Sequence, residues 1–353
     1  MLELLEKLLA IPSPTFKEQE IVAFIKDWSY ENFGDIKITE SFDSVIIHFP
    51  EREGLQHISL VGHSDVVPAH FEPYRKDGRL HGSGASDMLG AVACYMQLMK
   101  EHAEEVLKNY NISILIYARE EGTPLEENGL YDLIGNYPGY FKSVDLAIVG
   151  EPTDNTIQVG CVGSSHAKVL IKGIACHSAR PWNGENAIYK ALPFMNKMAE
   201  LKPEKHTLFG VDFFDVIQLT ESHSEPGRTS LPGYWEGNIN FRFAPVYTVE
   251  EAEKKLIDMV KSWDVKDLEI SIKDTAPSGS VIESDLFKDI VAKLEAPVEA
   301  KQAWTDVAQL SAHKISAFNF GPGLTSQAHK DNEFIMIKDV EEYYEKLKKA
   351  LIS

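Results

Sequence analysis

What most restricts the fold of this chain is a series of short apolar runs that each stop at a glycine or at a residue able to bind a cation. Residues 57–62 (His-Ile-Ser-Leu-Val-Gly) read as a buried strand, and His63 and Asp65 follow at once. Residues 111–118 form a second such run and lead into Arg119-Glu120-Glu121-Gly122. Residues 145–150 form a third and lead into Glu151-Pro152-Thr153. Between the first two lies Gly82-Ser83-Gly84-Ala85-Ser86-Asp87, followed by a helical pattern from Met88 to about residue 109. Strands alternating with helices predict a largely parallel α/β layer. In open sheets of that kind ligands bind outside the carboxyl ends of the strands. His63, Asp65 and Asp87 on neighbouring strand-end loops therefore offer nitrogen and oxygen donors to a zinc-like cation. Taken one at a time, each is equally what a polar loop or a helix cap would carry.

The rest of the chain fits around this layer. Residues 1–30 read as two helices broken at Ile11-Pro12-Ser13-Pro14, and residues 36–39 and 44–49 as short strands. After Gly163 the pattern changes to strand 167–172, helix 187–201, strands 213–221 and 234–243, helix 249–263 and strand 268–273. That is β-α-β-β-α-β, the split ferredoxin-like arrangement. Beyond Ala276-Pro277-Ser278-Gly279 the first pattern resumes and closes with a helix near residues 340–351. The expected fold class is α/β, with a mostly parallel-sheet catalytic domain (1–163 and 277–353) interrupted by a ferredoxin-like α+β domain (164–276).

Charge and composition narrow the partners. A formal charge of -19 disfavours nucleic acid, whose binding draws on clustered lysine and arginine. An anionic substrate would need a local positive site within that negative field. No run of about eighteen apolar residues occurs, so no membrane span is expected. Met1 leads into an amphipathic helix carrying Glu3 and Glu6 where a signal peptide would carry positive charge, which predicts a cytoplasmic protein. Cys94, Cys161 and Cys176 include no Cys-x-x-Cys pair and read as structural thiols.

His63, Asp65, Asp87, Glu120, Glu121 and Glu151 all follow apolar segments, and His329 joins them late in the chain. Two histidines with several carboxylates make a poor structural zinc site, which favours closed sets of cysteine and histidine. They suit a two-metal catalytic site with a shared carboxylate. Glu120 and Glu121, adjacent on an extended chain, point to opposite sides and so are unsuited to serving one ion equally.

Gly62-His63-Ser64-Asp65-Val66-Val67-Pro68, Gly84-Ala85-Ser86-Asp87-Met88-Leu89-Gly90, Glu120-Glu121-Gly122, Gly150-Glu151-Pro152 and Ala328-His329 resemble, in order, the motifs of a zinc metallopeptidase family. Its members include aminoacylases, glutamate carboxypeptidase, acetylornithine deacetylase and succinyl-diaminopimelate desuccinylase. The resemblance spans essentially the whole chain. It implies two zinc ions, with cobalt or manganese as possible substitutes. His63 and Glu151 would hold one and Glu121 and His329 the other, with Asp87 as the bridge. It further implies that Asp65 orients His63, that the Asp87–Met88 peptide is cis, and that Glu120 is the general base. His177, in Cys176-His177-Ser178-Ala179-Arg180, matches a histidine that reaches across a dimer to stabilise an oxyanion, so a homodimer formed through the inserted lid and dimerisation domain is expected.

Within the family, Gln302-Ala303-Trp304-Thr305-Asp306-Val307-Ala308, Asn319-Phe320-Gly321-Pro322-Gly323 and Asn240-Phe241-Arg242-Phe243-Ala244-Pro245 resemble the actinobacterial type of succinyl-diaminopimelate desuccinylase. A small anionic N-acyl amino acid is then the expected substrate, with Arg180, Arg242, Thr305 and Thr325 as candidate contacts, since a guanidinium grips a carboxylate in a fixed fork. One departure stands out: Thr229 occupies the position of the family's Asn-x-x-Pro asparagine. Acetylornithine, another N-acyl amino acid or a small dipeptide therefore stay open as substrates. A non-catalytic metal-binding homologue is the reading from a different class, but it would be expected to have lost ligands or Glu120. The glycine turn at Gly82 lacks a phosphate-loop pattern, and no Gly-x-Ser-x-Gly turn with suitable partners supports a serine hydrolase.

Overall fold

A computed structural model describes residues 1–67, 69–225 and 227–353; Pro68, the last residue of the first motif, lies outside the described residues. The chain divides into two units, one made of residues 1–160, 281–299 and 305–353, the other of residues 161–280 and 300–304.

The first unit is built on an eight-stranded sheet. Its order is Lys37–Ser41, Ser44–His48, Asn111–Tyr117, His57–His63, Leu146–Val149, Ser316–Asn319, Ile157–Val159 and Val298–Ala300. The four middle strands run parallel, from Asn111–Tyr117 across to Ser316–Asn319. Antiparallel neighbours flank them on both sides. Every residue of His57–His63 and Asn111–Tyr117 is buried, which is why these strands are continuous apolar runs rather than alternating ones. The α/β layer expected from the strand–helix alternation is thus present.

Helices cover the sheet. Leu4, Leu5, Leu8 and Leu9 give Leu2–Leu9 a single buried stripe at helical spacing. The long helix is Gly90–Asn109, and the closing helix Ile337–Ile352 packs on it through Val340, Tyr343 and Leu347. The helix expected from Met88 begins at Gly90, because Asp87 and Met88 have non-helical φ and ψ; the peptide between them is cis.

In the second unit the strands lie in the order Leu268–Ala276, Gly163–Lys172, Tyr234–Phe243 and Val211–Ser224, all antiparallel. This is the ferredoxin-like order for β-α-β-β-α-β. Burial alternates along Tyr234–Phe243, as expected of a sheet packed on one face only. Ile171, Ile239 and Phe241 on that face meet Phe194 and Met198 of helix Ala187–Glu200 and Leu256 and Val260 of helix Val249–Ser262. Thr248 and Glu251 form a reciprocal cap on the second helix. A fifth strand, Glu204–Leu208, pairs with Val211–Ser224 and has no counterpart in the sequence reading. Its hairpin turn, Phe209-Gly210, has positive φ at both residues, the geometry of a two-residue type I′ turn.

Candidate metal centre

Parallel register explains how residues distant in sequence meet. His63 lies opposite Tyr117, and Val61 lies opposite both Leu115 and Val149. Three adjacent strands therefore end at one edge, and the chain leaving them delivers His63, the Glu120–Glu121 pair and Glu151 together. Asp87 reaches the same place on a turn through Gly84, at φ 84; a Cβ there would lie 2.4 Å from Val66 Cγ1.

Asp87 is the centre of the arrangement. Its Oδ1 lies 3.3 Å from His63 Nε2, and its Oδ2 lies 3.7 Å from His329 Nε2. Glu151 Oε1 approaches His63 Nε2 to 3.9 Å, and Glu121 Oε2 approaches His329 Nε2 to 3.0 Å. Three groups of donors result here among the described residues, His63–Asp87–Glu151, Asp87–Glu121–His329 and His63–Glu120–Glu121, each with its donor atoms within 4.8 Å of one another. The last brings both glutamates toward His63, against the expectation that they point to opposite sides. One carboxylate thus faces two separate donor sets, one oxygen to each.

The negative surroundings of both imidazoles suit cations. His63 Nδ1 donates to the Asp65 backbone carbonyl at 3.0 Å, so the neutral ring presents a bare Nε2 to Asp87 and Glu151. Burial works against charge on His63, yet Asp65 and Asp87 hold its pKa well above the ordinary value. The Glu121 carboxylate bonded to His329 raises that imidazole to about 9. Among the described residues Asp87, Glu120 and Glu121 have no lysine or arginine within ion-pair distance. Closely spaced acids without a basic partner are mutually repulsive unless a cation joins them. The donor set, imidazole nitrogen plus carboxylate oxygen, fits a pair of divalent ions.

Asp65 does more than the motif implied. Its carboxylate stands 3.5 Å from His63 Nδ1, beside the backbone carbonyl of the same residue that accepts from that nitrogen. The same carboxylate accepts from Glu120 N and Glu121 N, both at 3.0 Å, and from the Thr15 hydroxyl at 3.0 Å. Burial pushes the Asp65 pKa up, but the His63 ring and these N–H donors outweigh it and hold the carboxyl below its usual range. Asp65 therefore fixes the backbone on which Glu120 sits. Burial, and then the charge of Glu151, drive the Glu120 carboxyl well above its usual pKa. A carboxylate in such surroundings holds a proton more strongly than an ordinary one, as a general base must.

Three further buried acids were not singled out by the sequence. Glu18 accepts from Arg119 N at 3.0 Å, one residue before Glu120. Asp306 accepts from the Tyr117 hydroxyl and from Gln309. Glu333 is fully buried, and its carboxylate accepts from Gly84, Ser86 and Asp87 backbone N–H groups. Glu18 and Glu333 each hold a loop from a distant part of the chain, and Asp306 holds the end of a distant strand; no apolar run or ligand motif marks these roles.

The remaining candidates are placed as follows. Thr305 is 2% exposed, beside Asp306. The Thr325 hydroxyl is engaged, donating to Asp154 at 2.6 Å. In the second unit, Arg180 and His177 are exposed. His177 Nδ1 accepts from Ala179 N at 3.1 Å, so its neutral ring carries the proton on Nε2. Ser178 N donates to the Thr229 carbonyl at 2.9 Å. Arg242 is half-buried and donates to Asn240 Oδ1 at 3.1 Å, and burial lowers its pKa.

Residues 59–353 match peptidase family M20/M25/M40. The chain belongs to that family. It is accordingly a metal-dependent amidohydrolase. Over 356 aligned residues it is 30% identical to a succinyl-diaminopimelate desuccinylase of Corynebacterium glutamicum, covering 99% of this chain and 95% of the relative. Two solved structures share the fold. A Staphylococcus aureus tripeptidase superposes with a TM-score of 0.78 at 15% identity, covering 99% and 96% of the two chains. A dinuclear metal-binding M20 peptidase of Bacillus subtilis gives 0.68 at 15% identity, covering 99% and 96%. No helix among the described residues of this M20 chain is long and apolar enough to cross a membrane.

Proposed function

We propose that this M20 enzyme is a di-zinc amidohydrolase that removes the succinyl group from N-succinyl-LL-2,6-diaminopimelate, a step of lysine and diaminopimelate biosynthesis. The observation that carries the substrate is the 30% identity to the Corynebacterium glutamicum desuccinylase over 99% of the chain. The observation that carries the metal pair is Asp87, with one oxygen toward His63 and the other toward His329.

His63, Asp87 and Glu151 would hold one ion and Asp87, Glu121 and His329 the other. When bound, such ions polarise an amide carbonyl and make a water acidic near neutral pH. The chain does the rest. Glu120 is the base that accepts the proton of the attacking water and passes it to the leaving amine. Asp65 and Glu18 hold the backbone on either side of Glu120 Cα, so that the carboxylate meets the water without first reorganising. His177, with Nε2–H free to donate, is the candidate for the developing oxyanion, from the partner subunit of a homodimer formed through the inserted domain. Arg180, Arg242, Thr305 and Thr325 are the candidates for substrate carboxylates. These assignments rest on the motif resemblance, and Thr229 leaves acetylornithine and related N-acyl amino acids as the second reading.

A deacylation panel on the zinc-loaded protein tests this directly, comparing succinyl-diaminopimelate, acetylornithine, acetyl-lysine and simple dipeptides. Turnover of succinyl-diaminopimelate at least tenfold above the others is expected. Turnover of peptides alone would overturn the biosynthetic assignment and leave the hydrolytic chemistry standing.

A further inference from the structure

The stretch that ends at Asp87 and the stretch that begins at His329 are separated by more than two hundred residues, yet one side chain joins them. Glu333 Oε2 accepts from Gly84 N at 2.8 Å, and its Oε1 accepts from Ser86 N at 2.7 Å and from Asp87 N at 2.9 Å. Gly82 N in turn donates to the Glu333 carbonyl at 3.2 Å. The Ser86 hydroxyl donates to Phe334 O at 2.8 Å and accepts from Leu324 N at 3.1 Å. Glu333 itself is 0% exposed. A buried carboxylate costs several kcal/mol of desolvation unless it is bonded, and here both oxygens are satisfied by main-chain N–H groups. The arrangement is an oxyanion-type cradle turned inside out: the acid belongs to the protein, and the cradle is the loop that presents Asp87.

We propose that Glu333 is a positioning residue for the dinuclear centre, setting the Asp87 carboxylate and the His329 imidazole in register with each other. The inference rests on Asp87 and His329 being ligands, as in the function proposed above. It goes beyond that reading in giving the centre an asymmetric dependence on one remote acid. His63 and Glu151 sit at the ends of paired strands and are held by the sheet whether or not Glu333 is present. His329 is carried by the same non-sheet segment as Glu333, four residues away, and its φ is 62. Loss of Glu333 therefore releases the Asp87–Glu121–His329 group more than the His63–Asp87–Glu151 group.

Metal titration of the purified apo protein reads this without reference to turnover. Zinc affinities are measured by competition with a chelator, and cobalt(II) binding by its visible spectrum, for wild type, Glu333→Gln and Glu333→Asp. Glu333→Gln places an amide NH2 against N–H donors; one of the two equivalents is expected to weaken by about 10- to 100-fold while the other changes less than about threefold. Glu333→Asp is expected to restore part of the loss. Two wild-type affinities in a variant whose melting temperature alone has fallen would make Glu333 an ordinary structural anchor and overturn the proposal. If wild type itself binds fewer than two equivalents, the dinuclear reading fails, which is a different result. Hydrogen exchange on metal-free wild type covers the case of variants that do not fold. Slow exchange at Gly84, Ser86 and Asp87 before any metal is added supports the proposal, and protection that arises only on metal binding contradicts it.

Discussion

Two places among the described residues gather carboxylates around histidine, and they solve the same electrostatic problem differently. In the inserted unit, Glu204, His206 and Asp215 bring donor atoms within 4.8 Å of one another. There the cation is already present. Lys255 Nζ lies 2.6 Å from Glu204 Oε2, 2.7 Å from Asp215 Oδ2 and 2.7 Å from the Tyr247 hydroxyl. At the strand ends of the first unit the same residue types converge with no lysine or arginine on Asp87, Glu120 or Glu121 among the described residues. Proximity of acids and imidazoles is thus shared by an ion-pair network and a candidate metal centre. The missing basic partner, and a shared carboxylate with oxygens turned to two sides, distinguish the second from the first.

The comparison is broken most sharply at Asp87. Asp87→Asn removes charge from both donor groups at once, so metal content measured after dialysis should fall for both ions and activity should disappear. A variant that keeps two tightly held ions would show that Asp87 is not shared.

Proton release gives the next largest effect. His329, raised to about 9 when no metal is bound, is protonated at pH 7, whereas coordination takes the neutral ring. Metal binding at pH 7 should release protons, and affinity should drop as pH falls, about tenfold per unit for each proton released. Calorimetry in buffers of different ionisation enthalpy checks this; heats independent of buffer would contradict it. The sign for the metal-free protein is opposite. A raised histidine pKa contributes stability that is whole below the unfolded value near 6.5 and is lost as pH rises through about 9.

The smallest effect lies in the inserted unit. Lys255→Met leaves Asp215, 3% exposed, without its ammonium partner and should cost about 1–3 kcal/mol in denaturant unfolding. Added zinc should recover part of that loss, because the cluster then resembles the one at the strand ends. Full wild-type stability in the variant would show that Lys255 does not balance the cluster.

The sequence exposes the parts of this molecule whose cause is local. Residues 57–62 and 111–118 are legible as strands because both faces are buried, and the candidate ligand residues stand out because they follow such runs immediately. The 268–273 strand and the helix at 249–263 follow from periodicity in the same way, each a few residues short or long at its ends. Glu204–Leu208 escapes because its residues are mostly exposed and charged, so neither alternation nor an apolar run marks it. Glu18 and Glu333 escape for another reason. Their partners are main-chain N–H groups 101 and up to 249 residues away, and a backbone donor has no residue type to read. The Asp65 carboxylate lies 3.5 Å from His63 Nδ1, where the motif implies it, while its hydrogen bonds to the Glu120–Glu121 main chain have no motif to mark them.

Metal content and rate measured together on Glu120→Gln test the division of labour most directly. Two ions should be retained at wild-type affinity while the rate falls by about 10²–10⁴, the range for loss of a general base. A variant that loses one ion in proportion to its rate would make Glu120 a ligand, and the assignment of one free acid beside a filled pair of metal sites would be wrong.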